Sequence, residues 1–286
     1  MKRKIVEIIT KANFNRDFVE YIIKEFPHHF TPLIEQPYRY DFPDNPLVDL
    51  SVKDRLFTLL YELIPLKEVY KNKGIPNSVF YKSIEDLDFR INRYFGLHNE
   101  YGLSERDALW LRFIYKFEIF DLGSLRFQKF HFSYTEIERD DYDYMPLSDE
   151  MKMRFPEGEP IINVHITTDA DLRPEKVEES FQLAHKFFTT HFPNHKYTVF
   201  TCRTWMLYRP TQAILPPDSN ITAFANRFEI IATNQNTKQA LDRIYETSDL
   251  EEIKKMKKTS SLAEVAYKNL DKLGVAAGVI QRIKTV

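Results

Sequence analysis

The spacing of hydrophobic positions changes near Gly123, and this change divides the chain into two parts. Upstream, apolar residues recur every three or four positions, which is typical of amphipathic helices. Four such stripes begin at Phe18, Leu56, Ile84 and Leu109. The second is predicted to end at Pro65, since proline breaks a helix, and Ser104 is predicted to cap the fourth. The pattern therefore predicts a helical domain over 1–121.

Downstream of Gly123 the hydrophobic period becomes two, as in strands with one buried face. This alternation predicts strands over 125–132 and 161–166, and a dense run of β-branched and aromatic residues predicts a buried strand over 197–207. A helix begins at Pro174, between the last two, because proline suits the first helical position. Consecutive parallel strands joined by a right-handed crossover diverge at their carboxyl ends, where ligands tend to bind. The sequence thus places a candidate site between 161–166 and 197–207.

The alternation within 125–132 is irregular, because the step from Phe127 to Phe130 shifts it by one residue. We therefore expect a β-bulge near Gln128 or Lys129. An extended connection is predicted over 32–47 and an acidic loop over 138–150. Three helices are predicted in the tail, over 238–247, 250–257 and 260–273.

Composition narrows the class of protein. The 40 basic and 42 acidic residues nearly cancel, so no broad attraction to nucleic acid or to an anionic membrane is predicted. No segment approaches the ~18 uncharged apolar residues of a membrane span, and the start lacks a continuous apolar core, so a cytoplasmic protein is expected.

The single cysteine, Cys202, excludes an intramolecular disulfide. His191 and His195 have metal-like spacing, but Pro193 separates them, and no metal site is predicted.

Two neighbouring predicted strands carry His165 and Cys202. A thiol close to an imidazole can act as a nucleophile. The alternative, which we favour, is a buried cysteine that behaves as a small hydrophobe beside a histidine bonded to backbone.

Polar side chains on the predicted strands and at one helix start have a structural and a functional interpretation. Arg126, Gln128 and Arg203 fit exposed strand faces, and Trp205 fits an ordinary core position. An arginine on an interior strand needs an anionic partner, however, which makes Arg203 a candidate ligand residue. The polar residues Asp218, Ser219 and Asn220 fit a helix cap, with ligand contact as the alternative.

Three segments resemble a bacterial family of acyltransferase-like proteins. They are GIPNSVFYKSIEDLDFRI, FEIFDLGSLRFQKF, and INVHI followed by ESFQLAHKFFTTHFP, FTCRTWML and LPPDSNITAFANRF. The resemblance runs from about Gly74 to Phe228. It implies an α+β fold, in which a helical N-terminal domain over 1–121 precedes a domain over 122–286 similar to the Gcn5-related N-acetyltransferase (GNAT) fold, a mixed β-sheet flanked by helices.

The same resemblance implies transfer of an acyl group from acyl-CoA, as co-substrate, to a small or peptidyl amine. The candidate site residues combine this resemblance with the positions of the side chains on the predicted strands. The candidate catalytic residues are Cys202, Tyr208 and His165, and no proton donor is assigned. Those that would bind the coenzyme are Val164, Ile166, Arg173 and Lys176, and those that would bind the acceptor are Arg203, Trp205, Ser219 and Asn220.

One segment departs from the pattern of that fold. The loop between the predicted strand and its helix, TTDADLRPEK, contains no glycine, whereas the usual loop holds the coenzyme pyrophosphate with glycine-rich backbone. Acidic residues also surround it, so we predict weak acyl-CoA binding that depends on Arg173. The alternative function is a non-catalytic GNAT-like protein that binds a ligand or peptide and has lost the coenzyme loop. The sequence does not specify acyl length, acceptor or oligomeric state.

Overall fold

The computed structural model describes residues 1–26, 45–134 and 147–281. The predicted connection over 32–47 and the acidic loop over 138–150 lie mainly outside these residues. The chain divides into two compact units, Met1–Asp121 and Leu122–Val286.

The first unit is helical, as its hydrophobic spacing predicts. Its helices are α1 (Lys2–Lys11), α2 (Arg16–Glu25), α3 (Asn45–Asp49), α4 (Val52–Asn72), α5 (Asn77–His98) and α6 (Glu105–Tyr115). Ser104 caps α6 by accepting a hydrogen bond from the Asp107 N–H, which confirms the predicted cap. Aromatic rings fill the core of this unit around the fully buried Tyr70, which meets Phe80 and Phe117 edge-on.

The predicted helix end at Pro65 is wrong, because α4 continues through this residue to Asn72. A proline inside a helix removes one backbone hydrogen bond and destabilises the helix by ~3 kcal/mol. Leu63 and Leu66, on either side of it, are completely buried. Burial of this long apolar helix in the core outweighs the local penalty, as tertiary packing commonly does.

After the helices, the chain forms a mixed six-stranded sheet with the strand order β1-β2-β3-β4-β6-β5. Its strands are β1 (Ile119–Leu122), β2 (Leu125–His131), β3 (Pro160–His165), β4 (Val199–Thr204), β5 (Glu229–Asn234) and β6 (Val275–Gln281). The flanking helices are α7 (Asp149–Arg154), α8 (Pro174–His191), α9 (Arg209–Gln212), α10 (Asn220–Ala225), α11 (Lys238–Tyr245), α12 (Leu250–Lys255) and α13 (Ser261–Lys268). Short 3₁₀ turns span Trp205–Leu207 and Leu270–Lys272.

The bulge predicted near Gln128 is absent from the pairing of β2 with β3. That antiparallel register is continuous from Arg126↔His165 to His131↔Pro160. Alternation is therefore unbroken, and Arg126 and Gln128 share a face with Phe130. The irregularity in this sheet lies instead between Ile230 and Ala232, where β5 pairs with β6.

Strand β6 lies in the interior of the sheet and has no counterpart among the predicted elements. It pairs antiparallel with both β4 and β5. Its sequence, VAAGVIQ, is a short apolar run, which periodicity alone cannot assign to a strand or to a helix. Because both β3 and β6 pair with it, β4 lies in the interior of the sheet, and most of its residues are buried.

The two faces of the sheet are covered differently. Helix α8 packs on one face, where Phe181 meets Phe127 and Phe200 edge-on with ring centroids 5.6 and 5.0 Å apart. We call this the α8 face. Residues of the opposite face join a separate hydrophobic cluster: Phe132, Ile161, Val199, Val275, Ala277 and Val279.

Candidate functional site

Strands β3 and β4 separate at their carboxyl ends, as the sequence predicts for parallel neighbours. Their pairing covers Ile162↔Phe200 and Asn163↔Thr201, whereas β3 continues to His165 and β4 to Thr204. The Thr198 N–H donates to the Pro160 carbonyl at 3.2 Å. Since backbone groups alternate between strand edges, even-numbered residues of β3 point toward β4. The backbone of Val164 is therefore directed into the opening.

Polar side chains gather on the face opposite α8, beside this opening. The register places Arg126 against His165, Gln128 against Asn163, and Asn163 against Thr201. Arg203 follows Thr201 on the same face of β4. We call these six residues the polar row.

Two of the polar-row residues that the sequence places on exposed strand faces, Arg126 and Gln128, are in fact buried, whereas Arg203 is partly exposed. Arg126 is 5% exposed and Gln128 is 3% exposed. Two-residue periodicity identifies a polar face but does not show whether other segments cover it. The correction matters because a buried polar side chain requires a hydrogen-bond partner, whereas an exposed one is satisfied by water.

Hydrogen bonds connect the middle of the polar row. His165 Nε2 lies 2.9 Å from Gln128 Oε1 and 3.4 Å from Asn163 Nδ2. The Thr201 hydroxyl donates to Asn163 Oδ1 at 3.3 Å. The amide nitrogen of Gln128 is buried and has no hydrogen-bond partner among the described residues.

His165 is held in its neutral form. Burial lowers its pKa most, and the positive charges of Arg126, Arg203 and Arg243 lower it further, to about 3. A neutral imidazole donates from one ring nitrogen, and the contact with Gln128 Oε1 fits a hydrogen on Nε2. A histidine with so low a pKa is a weak base, so the site suits it for hydrogen bonding rather than for removing a proton from an amine.

A small cavity of about 20 Å³ lies beside the polar row. Asn163, Thr201 and Arg203 form its polar side. Its apolar lining includes Phe130, Phe132, Ile161, Ile231 and Ala277. The cavity therefore has a polar end and an apolar wall, with room for about one water molecule.

Cys202 lies on the α8 face of β4, away from the polar row. Its strand neighbours Thr201 and Arg203 face the opposite side, so alternation separates the thiol from His165. Cys202 is 1% exposed, and burial raises its pKa to about 12. Such a thiol keeps its proton at neutral pH.

The cations of the loop before α8 are already paired with carboxylates from the same segment. Arg173 contacts Asp171 at 2.5 Å and Glu175 at 3.6 Å. Lys176 contacts Glu179 at 2.8 Å. The Arg173 side chain holds the pKa of Asp171 down to about 2.

Several backbone N–H groups at the same helix start also have partners within the segment. The Arg173 N–H donates to Asp171 Oδ1 at 3.1 Å, Pro174 has no N–H, and the Lys176 N–H donates to the Arg173 carbonyl at 2.9 Å. Ser124 holds the loop by donating from its hydroxyl to the Asp171 carbonyl. A phosphate at this helix start would therefore have to replace existing contacts.

The other candidate site residues from the sequence lie near β4 and α10. Trp205 is 3% exposed and packs with Ala240 and Leu241, which fits its ordinary core interpretation. Ser219 accepts from the Thr222 N–H at 3.1 Å and caps α10, as predicted for this segment.

Tyr208 follows β4 and packs its ring against Gly274, where an added Cβ would lie 2.5 Å from the ring. Asn220 is the exposed first residue of α10. The functional roles of all these residues stay predictions.

Sequence reasoning missed one residue that acts on the site. Arg243 on α11 acts electrostatically on His165, although about 80 residues separate them in the chain.

Within the described residues, no group of three or more His, Cys, Asp or Glu side chains is arranged to hold a metal ion. No helix in the described part of the chain is long and apolar enough to cross a membrane.

A mixed sheet whose central parallel strands separate beside a crossover helix is the architecture of GNAT-like proteins. Residues 119–280 match the family described as GNAT-like C-terminal domain. The match covers more than half of the chain, and the protein belongs to this family. A search among curated proteins found no significant match.

Solved structures share the fold over nearly the whole chain. An acyltransferase in complex with decanoyl-CoA superposes with a TM-score of 0.70 at 16% identity, covering 96% of this chain and 86% of that one. An acyltransferase mutant in complex with octanoyl-CoA gives 0.71 at 16% identity, covering 98% and 88%. An acyltransferase in complex with decanoyl-CoA and teicoplanin gives 0.65 at 14% identity, covering 96% and 98%.

Proposed function

We propose that this protein transfers an acyl group from an acyl-CoA to an amine, with the transferase site in 122–286 and a helical domain in 1–121. The observation that carries the proposal is the opening between β3 and β4 in a chain of the GNAT-like family. Structural neighbours with the same fold are acyltransferases in complex with acyl-CoA. We place the reaction in the cytoplasm, where a single buried cysteine stays reduced.

In this opening the amine and the thioester would be aligned for direct transfer, with no covalent enzyme intermediate. The amine nitrogen bonds to the thioester carbonyl carbon, the carbon–sulfur bond breaks, and the electron pair leaves with sulfur. Backbone N–H groups of Val164 and Ile166 are the proposed donors to the carbonyl oxygen as it gains charge. Alignment of the reactants accounts for much of the acceleration in such a site.

Proton transfer is assigned by exclusion among the candidates. The amine loses its proton to water, and a proton returns to the departing thiolate. The Cys202 thiol is a poor donor, since burial raises its pKa to about 12. We assign this step to Tyr208, which is only partly buried beside the end of β4. His165 is assigned to positioning, because its neutral ring is bonded within the polar row.

Binding of the donor is the decisive test. Calorimetric titration with acetyl-CoA, octanoyl-CoA and decanoyl-CoA should show saturable binding, with one chain length preferred. Thiol release in the presence of an amine panel should then depend on both substrates. A Tyr208→Phe variant should retain binding and lose most turnover, whereas the Tyr61→Phe variant in the helical unit should retain both.

The competing function is a non-catalytic protein that binds a ligand or peptide. The observation that favours it is the pairing of Arg173 and Lys176 with neighbouring carboxylates in a loop without glycine. Absence of binding to every acyl-CoA tested would support this function and reject the transferase.

A further inference from the structure

Tyr208, to which we assign the return of a proton to the thiolate, lies at the junction of two short turns. It follows the 3₁₀ turn Trp205–Leu207 and directly precedes α9 (Arg209–Gln212). Its backbone N–H donates to the Trp205 carbonyl at 3.1 Å, and its carbonyl accepts from the Gln212 N–H at 3.1 Å. Both polar backbone groups of Tyr208 are therefore occupied within this segment, so the place of its side chain depends on how the two turns are held.

The buried side chain of Gln212 holds the turn that precedes Tyr208. Its amide nitrogen donates to the Leu207 carbonyl at 3.0 Å and to the Met206 carbonyl at 3.3 Å. Its amide oxygen accepts from Arg209 Nη1 at 2.8 Å. A buried polar side chain with its partners in place is rigid and fixes the groups that it binds. Gln212 therefore fixes the two residues immediately before Tyr208.

Two further side chains attach the same segment to neighbouring elements. Gln239 on α11 accepts from the Trp205 N–H at 2.7 Å. Thr211, which is buried, donates from its hydroxyl to the Lys272 carbonyl at 2.8 Å. The 3₁₀ turn is thus held at its start and α9 is held near its end. Tyr208 lies between these two fixed points.

The aromatic ring of Tyr208 lies on the backbone of Gly274, the residue before β6. A Cβ at this position would lie 2.5 Å from Cε1 and 2.6 Å from Cδ1 of the ring, and 2.5 Å from the Asn234 carbonyl oxygen. Atoms in a packed protein do not come this close. Glycine is therefore required for the ring to occupy this place.

The hydroxyl of Tyr208 differs from those of other tyrosines that pack against the sheet and its helices. Tyr245 donates to the Ala263 carbonyl at 2.5 Å, and Tyr134 donates to the Lys152 carbonyl at 3.1 Å. Within residues 1–26, 45–134 and 147–281, the Tyr208 hydroxyl has no such bond. A ring that is fixed while its hydroxyl stays available suits a group that acts on a substrate.

We infer that Gln212 and Gly274 are positioning residues for Tyr208: Gln212 fixes the turn that carries the tyrosine, and Gly274 provides the surface on which its ring lies. The inference rests on the proposed function. There the oxygen–hydrogen bond of Tyr208 breaks, a sulfur–hydrogen bond forms on the departing thiolate, and the phenolate then takes a proton from water. Misplacement of a reacting group by about 1 Å lowers the rate up to ~100-fold, so displacement of the ring should act on turnover rather than on substrate affinity.

A double-mutant cycle tests whether the two residues act through Tyr208. Both kcat and KM for the acyl-CoA are measured in Gln212→Ala and Gly274→Ala, each in the wild-type and in the Tyr208→Phe background. In the wild-type background each substitution should lower kcat tenfold or more and leave KM within threefold. In the Tyr208→Phe background neither should lower kcat more than twofold. Gln235→Ala is the matched control and should leave both constants within twofold, because Gln235 is an exposed glutamine that also donates to a backbone carbonyl, that of Asp271.

Equal losses of kcat in the two backgrounds would overturn the inference, because Gln212 and Gly274 would then act independently of Tyr208. Unchanged kcat in both single variants, or full turnover in Tyr208→Phe, would also overturn it. Thermal melting identifies a variant that fails to fold. Gly274→Ala carries the greater risk, since its Cβ would also meet the Asn234 carbonyl, and Gln212→Ala then decides.

If the wild type transfers no acyl group, the transferase proposal fails, and the positioning of Tyr208 is tested without turnover. In protein labelled with fluorotyrosine, the fluorine NMR resonance of Tyr208 is assigned by its loss in Tyr208→Phe. This resonance should shift or broaden in Gln212→Ala and in Gly274→Ala, and it should stay in place in Gln235→Ala. An unchanged resonance in both positioning variants would overturn the inference.

Discussion

Two cationic regions border the opening between β3 and β4, and they differ in how their charges are arranged. In the loop before α8, Arg173 contacts Asp171 and Lys176 contacts Glu179. Around the buried ring of His165, the charges of Arg126, Arg203 and Arg243, which we call the arginine cluster, lower the pKa of the imidazole. Residue composition is therefore a poor guide to local electrostatics, since the effect of a cation depends on which groups the fold places beside it.

The difference follows from how each region is assembled. Residues three positions apart on a helix are neighbours, so the acidic residues favoured at the start of α8 pair with nearby cations along the chain. The arginine cluster instead draws on β2, β4 and α11, which are distant in sequence. Folding alone brings these side chains together, and the registers of the strands set their spacing.

The largest expected effect concerns the packing that holds α8 on the sheet. Phe181→Ala should lower the free energy of unfolding by about 3–5 kcal/mol, because it leaves a cavity between Phe127 and Phe200. Chemical denaturation measures the change. Leu183→Ala is the control on the same helix, since Leu183 is 41% exposed and should change stability by less than about 1 kcal/mol. Equal effects of the two substitutions would contradict the assigned face of α8.

The next effect is a pH dependence that belongs to the arginine cluster. The pKa of His165 lies near 3 in the folded protein, below its ordinary 6.5, through burial and the charges of Arg126, Arg203 and Arg243. Below pH 6.5 the unfolded chain therefore binds a proton at this histidine that the folded protein does not bind. The free energy of unfolding falls as the pH is lowered, until about pH 3. Between pH 6.5 and 5, wild type should lose up to about 2 kcal/mol more than His165→Gln.

Denaturation at several pH values measures this difference, with His98→Gln as a control because His98 is exposed in the helical unit. A wild-type profile that matches His165→Gln at every pH would mean that His165 is protonated normally. Burial and the arginine cluster would then have no measurable effect on the pKa of this ring.

The contrast also explains what the sequence could predict. Alternation of apolar residues identified β2 and β3, a dense run of β-branched and aromatic residues identified β4, and adjacency along the chain identified the opening, because all three signals are local. Three features depend on segments that are far apart in sequence: the burial of the polar row, the effect of Arg243 on His165, and the position of β6 inside the sheet. No local pattern of residues predicts them. Pro65 shows the converse, since a strong local signal for a helix end is overridden by burial of Leu63 and Leu66.

A smaller effect is expected at the α8 loop, where acyl-CoA binding should be weak. Arg173→Ala should abolish detectable binding of CoA, a loss of tenfold or more, while the melting temperature stays nearly unchanged. Asp171→Asn should strengthen binding a few-fold, because it releases Arg173 from the ion pair at 2.5 Å. Lys186→Ala is the control for loss of one positive charge, since Lys186 is exposed farther along α8.

Calorimetry at two salt concentrations measures these affinities, because screening weakens contacts between exposed charges. Tight binding that survives Arg173→Ala would place the phosphates elsewhere. If the same affinity were then lost in Arg203→Gln, the arginine cluster would be the phosphate site.

The smallest expected effect on turnover belongs to Cys202, which lies next to Arg203 in the chain but on the other face of β4. Native protein should react slowly with a thiol reagent, and denatured protein rapidly, because burial raises the pKa of this thiol to about 12. Cys202→Ala should lower stability by about 1 kcal/mol and leave kcat/KM within twofold. Rapid labelling of the native protein with loss of turnover would contradict this, and would mean that the opening exposes both faces of β4. Slow labelling with full activity would restrict the chemistry to backbone groups, Tyr208 and the polar row.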